Sequence, residues 1–241
     1  MTNHISKLPT LALLCFLITL IPTEGKAKEQ ISASFDDAFL NLPHPDDYCI
    51  LGGTPSEDKV LEWQTLAQLK ARNKVLAMWI GCKDKQKIQS GVFTGQLEKW
   101  VIVNGILSGE EATERAYPNY DPEKYKQFMA GYEFDIEQIT KLAKKSIGEA
   151  NKKYFDDKNA VAITGQVDLG VMSITDAVHK GMIMRVNAGD YDVPVAGVMS
   201  FILINGIPLG FHFYASYTNK KTINRLLAEA EYYSATLVHA N

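Results

Sequence analysis

Nothing in this sequence carries a catalytic signature. There is no Gly-x-Ser-x-Gly elbow, no His-Glu-x-x-His zinc helix, no Gly-x-Gly-x-x-Gly after a strand and no Gly-x-x-x-x-Gly-Lys phosphate loop. Cysteine is scarce, and none of the three is spaced Cys-x-x-Cys, the arrangement that depresses a thiol pKa in redox sites. Basic runs are missing too, because acids or polar residues interrupt the local cluster at 83–87 and Lys144-Lys145 is short. A mildly acidic chain of formal charge −3 without clustered Lys and Arg excludes nucleic acid as a partner. Pro/Ser linkers, internal repeats and low-complexity tracts are absent. The one long hydrophobic run spans residues 8–21, short of the roughly 20 residues a spanning helix needs.

That run sits in a tripartite frame. Lys7 precedes it, Pro22 breaks it, and Gly25 and Ala27 place small residues at the −3 and −1 positions of a cleavage site. Residues 1–27 therefore read as a cleaved Sec-type secretory signal, with no stable membrane span after cleavage near Ala27. Cys15 lies mid-run between Leu14 and Phe16, which argues against lipidation. Cleavage removes Lys7, Lys26 and Glu24 and takes the formal charge to −4. The expected location is periplasmic or secreted. Two cysteines remain, and an oxidising compartment favours a Cys49–Cys82 disulfide. Closing that loop is worth about 3–4 kcal/mol in the chain-entropy model.

Residues 28–241 are expected to form a single globular domain. Residues 28–47 read as a leader with one short helical turn. A short strand at 48–51 stops at Gly52-Gly53. Thr54 and Glu57 have capping-box spacing and Pro55 takes the first helical position, so a helix should run to about Arg72. Its inward residues are Val60, Trp63, Leu66, Ala67 and the stem of Lys70. Residues 74–82 read as a buried strand, and if it neighbours 48–51 the disulfide would pin a β-α-β unit. A strand at 99–107 precedes a helical segment at about 108–154, with start signals at 108–111 and 121–123. Ile139, Leu142, Ala143, Ser146, Ile147 and Ala150 give it an amphipathic stripe.

The last third reads as strands at 161–174 and 181–186, a loop at 187–194, and a hairpin of 195–204 with 207–217. Asn205-Gly206 is the strongest short hairpin signal. It sets Ile204, Ile202, Ser200 and Val198 opposite Ile207, Leu209, Phe211 and Phe213. The other face carries Leu203, Phe201 and Met199 against Pro208, Gly210 and His212. Both faces are largely apolar, so layers should pack on both sides. Pro208 lacks a backbone donor and marks an unpaired edge near the turn. A closing helix carries Ile223, Leu226, Leu227, Ala230, Ser234 and Leu237 on one stripe. The fold class is α+β: a largely antiparallel sheet with helices on both faces, an α/β/α sandwich ending in a β-hairpin and an amphipathic helix.

Candidate sites are few. Tyr214, Tyr217, Tyr232 and Tyr233 gather where the last strand meets the last helix. With His212, the residues Tyr214, Tyr217 and Tyr233 outline a possible ligand groove, against core packing as the plainer account. His212 itself is either a core histidine or a buried general base. His44 stands between Pro43 and Pro45 beside Asp46 and Asp47, a Pro-restricted loop rather than a metal site. Residues 187–192 alternate oxygen ligands around Gly189 but lack the rest of a calcium loop. No catalytic residue, metal or cofactor is assigned.

The turn Ile204-Asn205-Gly206-Ile207-Pro208-Leu209, the strand FHFYASY and the closing amphipathic helix resemble the tail of uncharacterised exported bacterial proteins. Their layout is also similar to the PsbP-like fold, an α/β/α sandwich that includes photosystem accessory proteins and DcrB-type envelope proteins. The resemblance covers the last third, brings no diagnostic motif and does not take in 108–154. It implies a non-catalytic accessory or binding protein of the bacterial cell envelope, whose partner is an unknown protein or small-molecule ligand. A secreted hydrolase using His212 or His44 is one alternative; an exported virulence or host-contact factor is another.

Overall fold

A computed structural model describes residues 30–70, 72–91, 97–108, 113–133, 135–154, 161–188 and 191–241. The elements run β1 (Gln30–Phe35), β2 (Ala38–Pro43), β3 (Tyr48–Ile50), α1 (Pro55–Lys70), β4 (Asn73–Gly81), α2 (Cys82–Gln89) and β5 (Lys99–Ile106). They continue with α3 (Pro122–Gly131), α4 (Ile136–Tyr154), β6 (Val161–Ile174), β7 (Val178–Ala188), β8 (Tyr191–Ile204), β9 (Ile207–Ser216) and α5 (Lys220–Ala240). Seven strands make one antiparallel sheet in the order β3-β4-β5-β9-β8-β7-β6, and β1-β2 form a separate hairpin.

The β8–β9 turn has both Asn205 (φ 50°) and Gly206 (φ 79°) in the left-handed region, as the tight hairpin turn requires. Its register is the one expected, with Ile204 opposite Ile207 and Val198 opposite Phe213. The β5 ladder on the other side of β9 ends at Leu209, one residue short of Pro208, so the missing donor costs nothing there.

Strand alternation then fixes two apolar layers. On one face Val101, Val103, Leu209, Phe211 and Phe213 pack under Ile223, Leu226, Ala230 and Leu237 of α5. On the opposite face Met78, Ile80 and Ile102 meet Val60 and Leu61 of α1 and Ile88 of α2. Further along that face Phe201 and Leu203 meet Tyr125 and Met129 of α3. The chain is thus the α/β/α sandwich expected. Asn151 ties α4 into place: its Oδ1 accepts from Trp63 Nε1 (3.1 Å) and its Nδ2 donates to the Val161 carbonyl (2.8 Å). Among the described residues no helix is long and apolar enough to cross a membrane; the expected signal at 1–27 lies outside them.

Several local expectations fail. Residues 30–43 are not a leader with a helical turn but the β1-β2 hairpin, which turns at Asp36 (φ 54°) and buries Ala33, Phe35, Leu40 and Leu42 beside α5. β3 and β4 are antiparallel, so α1 joins antiparallel neighbours rather than the strands of a parallel β-α-β unit. Residues 82–89 form α2, which a polar stretch with Ile88 as its only buried apolar side chain did not announce. The helix start at 108 is instead an isolated bridge of Ser108 with Thr113, residues 109–112 lying outside the described set. Strands β7 and β8 run through most of the 187–194 loop, and the Asp192 carboxylate is paired with Arg185 (2.9 Å). Gly189 and Asp190 of the weighed calcium loop lie outside the described residues.

Candidate binding cleft beside the C-terminal helix

The sheet separates the four residues of the expected groove. His212 lies opposite Ile102 and Met199, on the face covered by α1 and α3, edge-on to the Phe201 ring (centroids 5.9 Å). Burial lowers its pKa to about 4, and its Nδ1 has no hydrogen-bond partner among the described residues. Tyr214, on the same face, stacks on Trp100 (5.1 Å), and burial raises its phenol. Tyr217 is half-buried after β9, its N–H donating to the Pro194 carbonyl (2.8 Å), and it packs toward the α5 side. Tyr233 lies on α5 itself, against Trp79, Phe211 and Phe213. No common groove joins them.

His179, given no role in the sequence, is held between two hydroxyls: Thr175 Oγ1 at 2.9 Å from Nε2 and Ser200 Oγ at 2.8 Å from Nδ1. The pair has the makings of a nucleophile and base. Both His179 and Ser200 are fully buried, however, and burial pushes the imidazole down to about 4. Substrate has no access to them. The trio is a satisfied polar bridge in the core linking β7, β8 and the turn before them.

Among the described residues an opening lies between residues 44–48 and α5. Pro43 and Pro45 stiffen the loop, and Asp47 turns it through the left-handed region (φ 61°). That turn sends Tyr48 inward, where its ring meets Phe213 edge-on (6.0 Å) and its hydroxyl donates to Glu229 Oε2 (2.8 Å). Burial, followed by the charge and hydrogen bond of Glu229, holds the Tyr48 phenol well above its usual range. Arg225 takes the other oxygen of Glu229 (2.7 Å). His44 Nδ1 donates to the Pro45 carbonyl (2.8 Å), and the ring stands edge-on to Trp79 (6.3 Å). Tyr233 completes the wall, its buried hydroxyl without a hydrogen-bond partner among the described residues. The cleft encloses about 310 Å³.

A second cleft of about 460 Å³ adjoins it, sharing Asp47 and Arg225 and bounded by Lys83, Glu98 and Lys99. Lys99 Nζ sits 4.1 Å from the Tyr48 ring centroid, a cation–π contact between the two spaces. Asp84 in its wall is buried but satisfied, accepting from the Glu98 N–H (2.8 Å) and from Lys87 (3.3 Å).

The Cys49–Cys82 disulfide forms as expected (Cα–Cα 4.9 Å) and ties β3 to the start of α2. Lys85 Nζ donates to the Ile50 carbonyl (2.7 Å). A three-residue edge strand is thereby fastened twice, and the adjoining 44–48 loop is fixed with it. Among the described residues no three His, Cys, Asp or Glu side chains are grouped to hold a metal ion.

Comparison with known proteins adds no family. No family model matches this sequence, and no curated protein does. Among solved structures, the Ran-binding protein Mog1p of Saccharomyces cerevisiae aligns over 89% of this chain and 93% of its own, at 9% identity and a TM-score of 0.30. A likeness that distant carries no functional argument.

Of the expected groove, Tyr233 alone lines the cleft, together with Tyr232 from the same tyrosine cluster and His44 from the Pro-restricted loop. Tyr48, Arg225 and Glu229 went unnoticed. Arg225 and Glu229 do stand four apart on the helix, but that spacing marks an ordinary surface ion pair as readily as a site.

Proposed function

We propose that this protein is a non-catalytic accessory or binding protein of the bacterial cell envelope, acting outside the cytoplasm, that holds its ligand in the cleft between residues 44–48 and α5. The observation that carries the proposal is the cleft's construction. Rigid aromatic walls (Tyr48, Phe213, Tyr233) surround a few convergent charged groups, in a volume of about 310 Å³ suited to a small molecule. The Cys49–Cys82 disulfide and the secretory pattern of residues 1–27 support the compartment. The PsbP-like layout of the last third supports an accessory role by analogy alone.

The test is a screen of small-molecule mixtures against the ¹⁵N-labelled protein. Binding should shift the amide signals of residues 46–48 and 225–236. Hits that shift only residues outside the cleft would refute its assignment.

The hydrolase alternative keeps one supporting observation: His44, its Nδ1 bonded to the Pro45 carbonyl, shares the cleft with Asp46. A panel of ester, peptide and glycoside substrates turned over by the wild type and not by His44→Ala would replace binding by catalysis as the function.

A further inference from the structure

We propose that two copies of this chain associate through β6, edge against edge, about a two-fold axis at Val171. β6 ends the seven-stranded sheet, and among the described residues no strand pairs with its outer side. α4 lies along its first half, where Asn151 reaches the Val161 carbonyl and Thr140 the Gln166 side chain. Residues 167–174 continue beyond that contact. They expose four apolar side chains, Val167 (57%), Leu169 (41%), Val171 (42%) and Ile174 (55%), and carry a single charge, Asp168. A row of exposed apolar groups on an unpaired edge is a surface for association. Lysine, proline and β-bulges are the usual guards of such an edge. This stretch has neither Lys nor Pro and keeps only bulges, at 168–170 and 171–173.

The bulges select the partner. Asp168, Val171 and Ile174 stand opposite Met182, Lys180 and Val178, on the face covered by α3. Gly170 and Ser173 stand opposite Gly181 and His179 on the α5 face, and the bulged Leu169 and Met172 lean over Gly181 on that same face. Counted outward from Val171, the order of faces is the same in both directions. A second β6 running antiparallel, with Val171 opposite Val171, therefore sets like face against like at every position from 168 to 174. An unbulged strand would have to skip twice, as β7 does. The pairing is isologous and keeps the sheet antiparallel throughout. It also places charge. Asp168 falls opposite the second copy's Ile174, beside the Lys126 ammonium, which donates to the Thr175 carbonyl (3.3 Å) and pairs with the exposed Glu123. The two Asp168 carboxylates lie at opposite ends of the paired segment. The cleft beside α5 borders β3, at the other end of the sheet, so both copies keep it open.

Sedimentation equilibrium of the purified protein over a concentration series tests the proposal, and a reversible monomer–dimer equilibrium is expected. Val171→Lys brings two ammonium groups together at the axis and should weaken the dimer by about ten-fold or more. Its ¹⁵N spectrum should otherwise match the wild type, because position 171 is exposed. Cysteine pairs locate the axis independently. Val171→Cys should cross-link to its own copy under mild oxidation. Ile174→Cys should not do so alone, but should cross-link when mixed with Asp168→Cys. A protein that stays monomeric at its highest soluble concentration would overturn the proposal and leave the edge to a different protein. A dimer that Val171→Lys leaves at full strength, or one in which Ile174→Cys cross-links to itself and Val171→Cys does not, would overturn it as well.

Discussion

Gly105 lies where an added Cβ would come within 2.1 Å of Phe35 Cε2, and Phe35 is fully buried between β1 and the sheet. The ring has nowhere to retreat, so Gly105→Ala should cost about 2 kcal/mol through overpacking. A urea titration would show this as a lower midpoint at constant slope. The histidines give a second residue-level expectation. His179 and His212 have folded pKa values of about 4, against an ordinary 6.5. The unfolded chain therefore binds more protons than the folded one between those values. Stability should be flat with respect to these two groups above pH 6.5 and fall as the pH drops toward 4. His212→Leu removes one of them and an unpaired buried nitrogen, so its stability should decline less steeply with acid. Urea midpoints at pH 7, 5.5 and 4.5 for the two proteins would measure the difference.

Legibility differed sharply between elements. The β8–β9 hairpin was readable to the residue because Asn205-Gly206 fixes the register and every later pairing follows from a period of two. The α5 stripe was readable for the same kind of reason. β1 and β2 alternate equally well, yet they are short, contain Asp36-Asp37 at the turn and make no contact predictable from nearby sequence. What covers Phe35 is Gly105, seventy residues on. The expected groove failed at this scale too. Alternation along β9 already placed Phe211 and Phe213 opposite His212 and Tyr214, but only the tertiary fold shows that α5 covers the first pair. Tyr233 therefore belongs to one layer and His212 to the other. Among element-level predictions the disulfide is the plainest. Replacing Cys49 and Cys82 by Ser should lower stability by about 3 kcal/mol. Hydrogen exchange at residues 48–50 should accelerate more than in the β8–β9 core, because β3 is a three-residue edge strand with one ladder partner, β4.

The cleft exists because distant parts of the chain converge on one layer. The β1-β2 hairpin and the 44–48 loop, at the start of the described residues, close against α5, the last helix. Asn41 and Asn241 exchange hydrogen bonds there: Asn41 N–H donates to Asn241 Oδ1 (2.9 Å), and Asn241 Nδ2 donates back to the Asn41 carbonyl (2.9 Å). Tyr48 and Glu229 repeat the connection beside the opening. Sequence position gives no hint of such a meeting, which is why a fold class could be argued from the residues while the cleft could not. The same convergence means that removing the 30–43 hairpin should expose the core under α5 and unfold the chain, rather than merely open the site. Binding at this junction is the central claim. A photoreactive p-benzoylphenylalanine placed at exposed position 232 tests it most directly, with the same probe at Phe128 on α3 as a control on the other face. In an envelope preparation, irradiation should give a discrete adduct from position 232 and none from position 128. Equal labelling at the two positions, or an adduct from 128 alone, would contradict the account.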